Sequence, residues 1–130
     1  MIDPEALARI SGAAAAAPGL ELLLVFGSRA RGDEGPASDW DLGYIGSTAF
    51  DADRLLAAIV TALGVDRVDL VDLQRANGQL RFRAARDGQP LFEAAPGAFP
   101  RFWFEAVSFW CDVAPIVHAG YDAVLAELEP

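Results

Sequence analysis

Gly27-Ser28-Arg29-Ala30-Arg31-Gly32-Asp33-Glu34-Gly35-Pro36-Ala37-Ser38-Asp39-Trp40-Asp41-Leu42 is the stretch on which the fold of this 130-residue chain turns. Before it, Glu21 to Phe26 is an apolar run of strand length that stops at Gly27-Ser28. Ser28 is then placed to open a short helix that Gly32 closes, and Asp33 to Ser38 are turn formers. Asp39 to Tyr44 alternates as a half-buried strand does, with Asp39 and Asp41 on one face and Trp40 and Leu42 on the other. Gly27 has no Cβ to hold a ligand away from the backbone. The helix start after it offers unpaired N–H groups, and Ser28 adds a hydroxyl. A strand, a small-residue turn and two carboxylates on the next strand form a candidate phosphate cradle facing acids.

A second stretch completes the constellation. Arg67 to Leu73 reads as a third strand in which Val68 and Leu70 point inward, turning Asp69 toward the first two acids. Asp72 falls on the opposite face and suits the turn before Gln74 and Arg75. Three close carboxylates repel one another unless cations sit among them. Hard oxygen ligands beside a triphosphate specify Mg²⁺, with Mn²⁺ as a substitute. Two ions suit an in-line displacement at an α-phosphorus, one serving the attacking hydroxyl and the other the departing pyrophosphate. The candidate catalytic and metal-binding residues are therefore Asp39, Asp41 and Asp69, and the candidate nucleotide-binding residues are Gly27, Ser28 and Arg31.

The remaining periodicity supplies the frame. Asp3-Pro4 starts a first helix that Pro18-Gly19 ends, and Asp51 caps a second over Leu55, Leu56, Ile59, Val60 and Leu63 with Gly64 as its stop. Residues 76 to 87 read as a helix, Gln89 to Glu93 as a short last strand, and about 98–128 as a long helical extension bent or broken at Pro115. The expected architecture is α+β: a single domain over 1–130, with a small mixed sheet, helices on one face, the acids on the open face and the C-terminal helix across one end.

Composition narrows the chemistry. A net charge of -9 argues against direct nucleic-acid binding, which draws on clustered positive charge. All the cationic side chains are Arg, so lysine nucleophiles, Schiff bases and a Walker-type phosphate site are excluded. Cys111 is the only cysteine and excludes an internal disulfide or a cysteine zinc cluster. The acidic start, Met1-Ile2-Asp3-Pro4-Glu5, and the short alanine run give neither a signal peptide nor a membrane span, and the cytoplasm is the expected compartment. Oligomeric state is not written in the sequence, and a homo-oligomer stays open.

Gly-Ser, a ten-residue gap, Asp-x-Asp and a later hydrophobic-Asp-hydrophobic strand together resemble the DNA polymerase β nucleotidyltransferase superfamily. Gly27-Ser28-Arg29-Ala30-Arg31-Gly32 with Ser38-Asp39-x-Asp41-Leu42 looks like its minimal nucleotidyltransferase (MNT) branch, and Trp40 stands where an aliphatic residue is commoner. Val68 to Leu73, Arg86-Asp87-Gly88 and the aromatic last helix extend the likeness to the MNT partners of HEPN proteins. The resemblance implies an antitoxin that transfers AMP from ATP to a tyrosine of a HEPN ribonuclease toxin. Phosphate binding would fall to Gly27 and Ser28, metal binding to Asp39, Asp41 and Asp69, and activation of the acceptor to Asp69. Two alternatives stand beside it: nucleotidylation of an aminoglycoside-like small molecule, and neutralisation of a partner by covering it without catalysis.

Taken singly, each signal has a plainer explanation. Gly-Ser alone is an ordinary turn, Asp-x-Asp alone a solvated strand face, and Arg29 or Arg31 a solvated arginine. The lone His118 reads as structural. Phe99, Phe102, Trp103, Phe104, Phe109 and Trp110 cover more than one helix face, so core packing accounts for most of them and a partner interface for the remainder.

Overall fold

The computed structural model describes residues 2–33, 35 and 38–128. The turn formers Glu34, Pro36 and Ala37 lie outside the described residues. The elements run α1 (Pro4–Ala15), β1 (Leu20–Phe26), α2 (Gly27–Arg31), β2 (Trp40–Gly46), α3 (Ala52–Leu63), β3 (Val68–Asp72), α4 (Gly78–Asp87), β4 (Gln89–Glu93) and α5 (Ala98–Leu128).

Helix boundaries follow local chemistry. Asp3 accepts from the Glu5 backbone N–H ahead of Pro4, Asp51 caps α3 through the Arg54 N–H, and Gly64 closes α3 at φ 70°. Asn77 accepts from the Leu80 N–H, so α4 starts at Gly78 and not at residue 76.

The four strands form a mixed sheet in the order β3-β2-β1-β4, the small mixed sheet expected from the sequence. β1 pairs antiparallel with both β2 and β4, while β2 and β3 are parallel and joined by α3. One expectation is corrected. Helices cover both faces, because β1 is apolar at nearly every position and each of its sides needs cover. Leu23 and Val25 join Ile10, Trp40, Leu42, Leu55 and Ile59 under α1 and α3. Leu22, Leu24 and Phe26 pack with Leu73, Ala84, Ala85, Phe102 and Ala106 under α4 and α5.

The start of β2 and the course of α5 also differ from the sequence reading. β2 begins at Trp40, whose N–H bonds the Arg67 carbonyl at 2.8 Å as the first rung to the β3 side, leaving Asp39 just before the strand. α5 continues unbroken through Pro115. A proline removes a single donor, and the helix has many turns on each side to bridge that gap. Of the seven aromatic residues in α5, Phe102 is buried and Phe99 and Trp110 are half-buried, whereas Trp103, Phe104, Phe109 and Tyr121 are exposed. Among the described residues, no helix is long and apolar enough to cross a membrane.

Candidate active site

At the C-terminal end of β1 the chain turns directly into α2. Gly27 makes this turn at φ 72°, where a side chain would be strained, and a Cβ there would overlap the Asp41 carboxylate. No side chain caps α2, so its first N–H groups are left for a ligand, with the half-buried Ser28 beside them. Gly32 ends the helix in the left-handed region and returns its N–H to the Ser28 carbonyl.

The acids are placed by strand register. Asp41 lies opposite Phe26 on β1 and opposite Asp69 on the parallel β3, so the two carboxylates are lateral neighbours on one sheet face. Asp39 is exposed and lies outside the ladder. Burial, then the negative charges of Asp69 and Asp39, push the Asp41 carboxyl above its ordinary value, and Arg31 and Arg83 offset part of this. Asp72 faces the other way and accepts from the Gln74 N–H at 2.9 Å, the turn role its position suggested.

Arg29 has a use that the sequence reading did not assign. Its guanidinium lies 4.2 Å from the centroid of the buried Trp40 ring and donates to the Ser38 carbonyl at 2.8 Å. Helix α2 is thereby tied to the two residues that flank Asp39. Trp40 supplies the ring that makes the tie.

Together these residues open onto a cleft of about 380 Å³. Gly27, Ser28, Arg31, Asp41 and Asp69 line it, and Asp39 is not among its lining residues. The sequence reading missed the opposite wall, where Leu80, Arg83 and Asp87 project from one face of α4. Their three- and four-residue spacing was the available signal, although nothing local says which helix faces the acids. Arg31 is held by Asp33 at 2.9 Å and by Asp87 at 3.4 Å, so its charge is partly spent on neighbouring acids. Asp87 is bound through both carboxylate oxygens by Arg86, which holds its carboxyl below the ordinary range. His118 is on the exposed part of α5 and does not line the cleft.

A divalent cation fits this chemistry. Neither Asp41 nor Asp69 enters an ion pair among the described residues, so two adjacent carboxylates are left for a hard cation to bridge. Among the described residues, no group of three or more His, Cys, Asp or Glu side chains is gathered to hold a metal. The two strand carboxylates are in place, and Asp39 stands outside them.

Residues 9–96 match the family described as Polymerase beta, Nucleotidyltransferase. The protein adenylyltransferase MntA of Aphanizomenon flos-aquae (strain 2012/KM1/D3) is 30% identical over 101 residues, covering 65% of this chain; the chain spans 65% of that relative's length. A toxin–antitoxin crystal structure with AMP-PNP superposes with a TM-score of 0.69 at 27% identity, over 83% of this chain and 88% of that one. A complex of a tri-AMPylated Shewanella oneidensis HEPN toxin with an MNT antitoxin gives a TM-score of 0.63 at 25% identity, over 83% and 85% of the respective chains.

Proposed function

The chain belongs to the polymerase beta nucleotidyltransferase family, and from that premise we propose that it is a protein adenylyltransferase, the antitoxin of a pair, which moves AMP from ATP to a tyrosine of a HEPN toxin. The observation that carries this reading is the register match of Asp41 with Asp69 on the sheet face that meets Gly27 and Ser28 in one cleft. Similarity to MntA and to an AMPylated HEPN toxin complex supports the donor, the acceptor class and the partner.

In this mechanism the N–H groups at the start of α2 and the Ser28 hydroxyl hold the triphosphate, and Gly27 keeps the backbone close to it. Asp41 and Asp69, joined by Asp39, would hold Mg²⁺, which supplies the positive charge that a triphosphate and three carboxylates lack. The tyrosine oxygen forms a bond to the α-phosphorus as the bond from that phosphorus to the oxygen bridging to the β-phosphate breaks. Pyrophosphate leaves, and Asp69 takes the phenolic proton. Arg83 and, with the charge that Asp33 and Asp87 leave it, Arg31 line the same cleft and would offset charge on the departing phosphates. Catalysis then consists of alignment and charge stabilisation.

The test is incubation with Mg²⁺, each labelled NTP in turn, and the HEPN protein encoded beside this chain, followed by mass spectrometry of that protein. An AMP adduct on tyrosine, with loss of ribonuclease activity, is the expected result. Absence of any adduct, or efficient modification of an aminoglycoside instead, overturns the assignment.

A further inference from the structure

The apolar stripe of α5 does not stop where the domain stops. Phe102, Ala106, Trp110, Val113, Val117, Tyr121, Val124 and Leu128 follow one another at three- and four-residue steps, so they share one helix face. At the start of this stripe Phe102 and Ala106 are buried, and Trp110 stacks on Phe82 of α4 with ring centroids 6.0 Å apart. From residue 115 to residue 128 every position is exposed, including Val117, Tyr121 (64%), Val124 and Leu128 (75%). The second half of the stripe is thus the seat of a core with nothing on it.

A lone helical segment of this length, about 21 Å, is marginal in water unless its apolar face is covered. The match to the family ends at residue 96, so the whole of α5 lies beyond the matched residues, although its first turns pack on the sheet. Charge selects the cover. From Phe102 to Leu128 the ionic side chains are Glu105, Asp112, Asp122 and Glu127, with no Arg or Lys. A second copy of this chain, with a net charge of -9, would set these acids against their own counterparts.

We propose that the exposed stripe Val117, Tyr121, Val124 and Leu128 seats a helix of the partner protein, one with an apolar seam flanked by arginine or lysine. This rests on the reading of the chain as one member of a toxin–antitoxin pair, and it assigns the surface that holds the two members together. α4 connects the surface to the chemistry. It packs on α5 at Phe109 and Trp110 on one side and gives Leu80, Arg83 and Asp87 to the cleft on the other, so one helix touches both the base of the stripe and the cleft.

Two full-length variants test it against the HEPN protein encoded beside this chain. Val117→Asp with Val124→Asp removes apolar surface at two exposed positions, so Tm is nearly unchanged while Kd by calorimetry weakens about 100-fold. Asp122→Lys with Glu127→Lys keeps the apolar stripe and weakens Kd about tenfold, more at low salt. Unchanged Kd in both variants overturns the proposal. So does a wild-type chain that sediments as a dimer and becomes monomeric in the first variant, which would give the surface to a second copy. AMP transfer is followed separately by mass. A wild-type pair that binds through this face without transfer overturns the enzymatic reading alone, whereas unchanged Kd with transfer intact overturns the docking surface alone.

Discussion

In the cleft, burial and then the charges of Asp69 and Asp39 raise the Asp41 carboxyl, and that direction fixes the sign of two effects. In the metal-free protein the folded state holds this proton more tightly than the unfolded chain does. The stabilisation it gives is full below the ordinary carboxylate range and is lost as pH rises through the raised folded value. At neutral pH the ionised group is therefore a cost, and Asp41→Asn should raise Tm of the metal-free protein at pH 7 while lowering AMP transfer at least about 100-fold. Thermal unfolding from pH 4 to 8 checks the first half, since the gain should shrink toward acid. Asp69→Asn should be as damaging to transfer as Asp41→Asn, and Asp72→Asn should keep nearly full activity, because only Asp69 stands in register with Asp41. Equal losses at Asp69 and Asp72 in a steady-state assay would contradict the register argument. Arg29→Lys removes the planar group stacked on Trp40 and the bond to Ser38, so it should cost about 1 kcal/mol of stability and reduce transfer as Asp39 loses its neighbouring anchor.

Elements translate these residue effects into a site. α2 is only five residues long, yet its start is fixed by Gly27, whose φ of 72° and whose approach to Asp41 both exclude a side chain. Gly27→Ala should cost about 1–2 kcal/mol from the backbone alone and displace Asp41 as well. A denaturant titration alongside the transfer assay should find both properties impaired. α5 divides along its length. Phe102→Ala, at a buried position, should destabilise by about 3–5 kcal/mol, while Phe104→Asp, at an exposed one, should leave the chemical midpoint near wild type. The unbroken course through Pro115 matters here, because it carries the apolar stripe past the domain edge in one piece.

Across the whole molecule, charge is the governing property. With a net charge of -9, and with the ionic side chains of α5 after Arg101 all acidic, the chain carries a negative field that would favour encounter with a partner of positive surface. Association measured by stopped flow should slow about tenfold or more as salt rises from low to high ionic strength, while dissociation changes far less. An association rate indifferent to salt would remove charge from the account of partner choice.

The sequence by itself determined the order of helices and strands, the caps at Asp3 and Asp51, the turn at Gly27, and the sidedness of Asp41, Asp69 and Asp72. These are properties of neighbouring residues, since alternation, capping and glycine geometry act within a few positions. The tertiary structure alone decided that α4 walls the cleft with Arg83 and Asp87, that Arg29 stacks on Trp40, that the acid face also carries a core, and that Asp39 lies outside the ladder. Each depends on which strands become neighbours and where their pairing begins. Residues far apart in the chain settle that by the fit of their packed surfaces, and no local period records it.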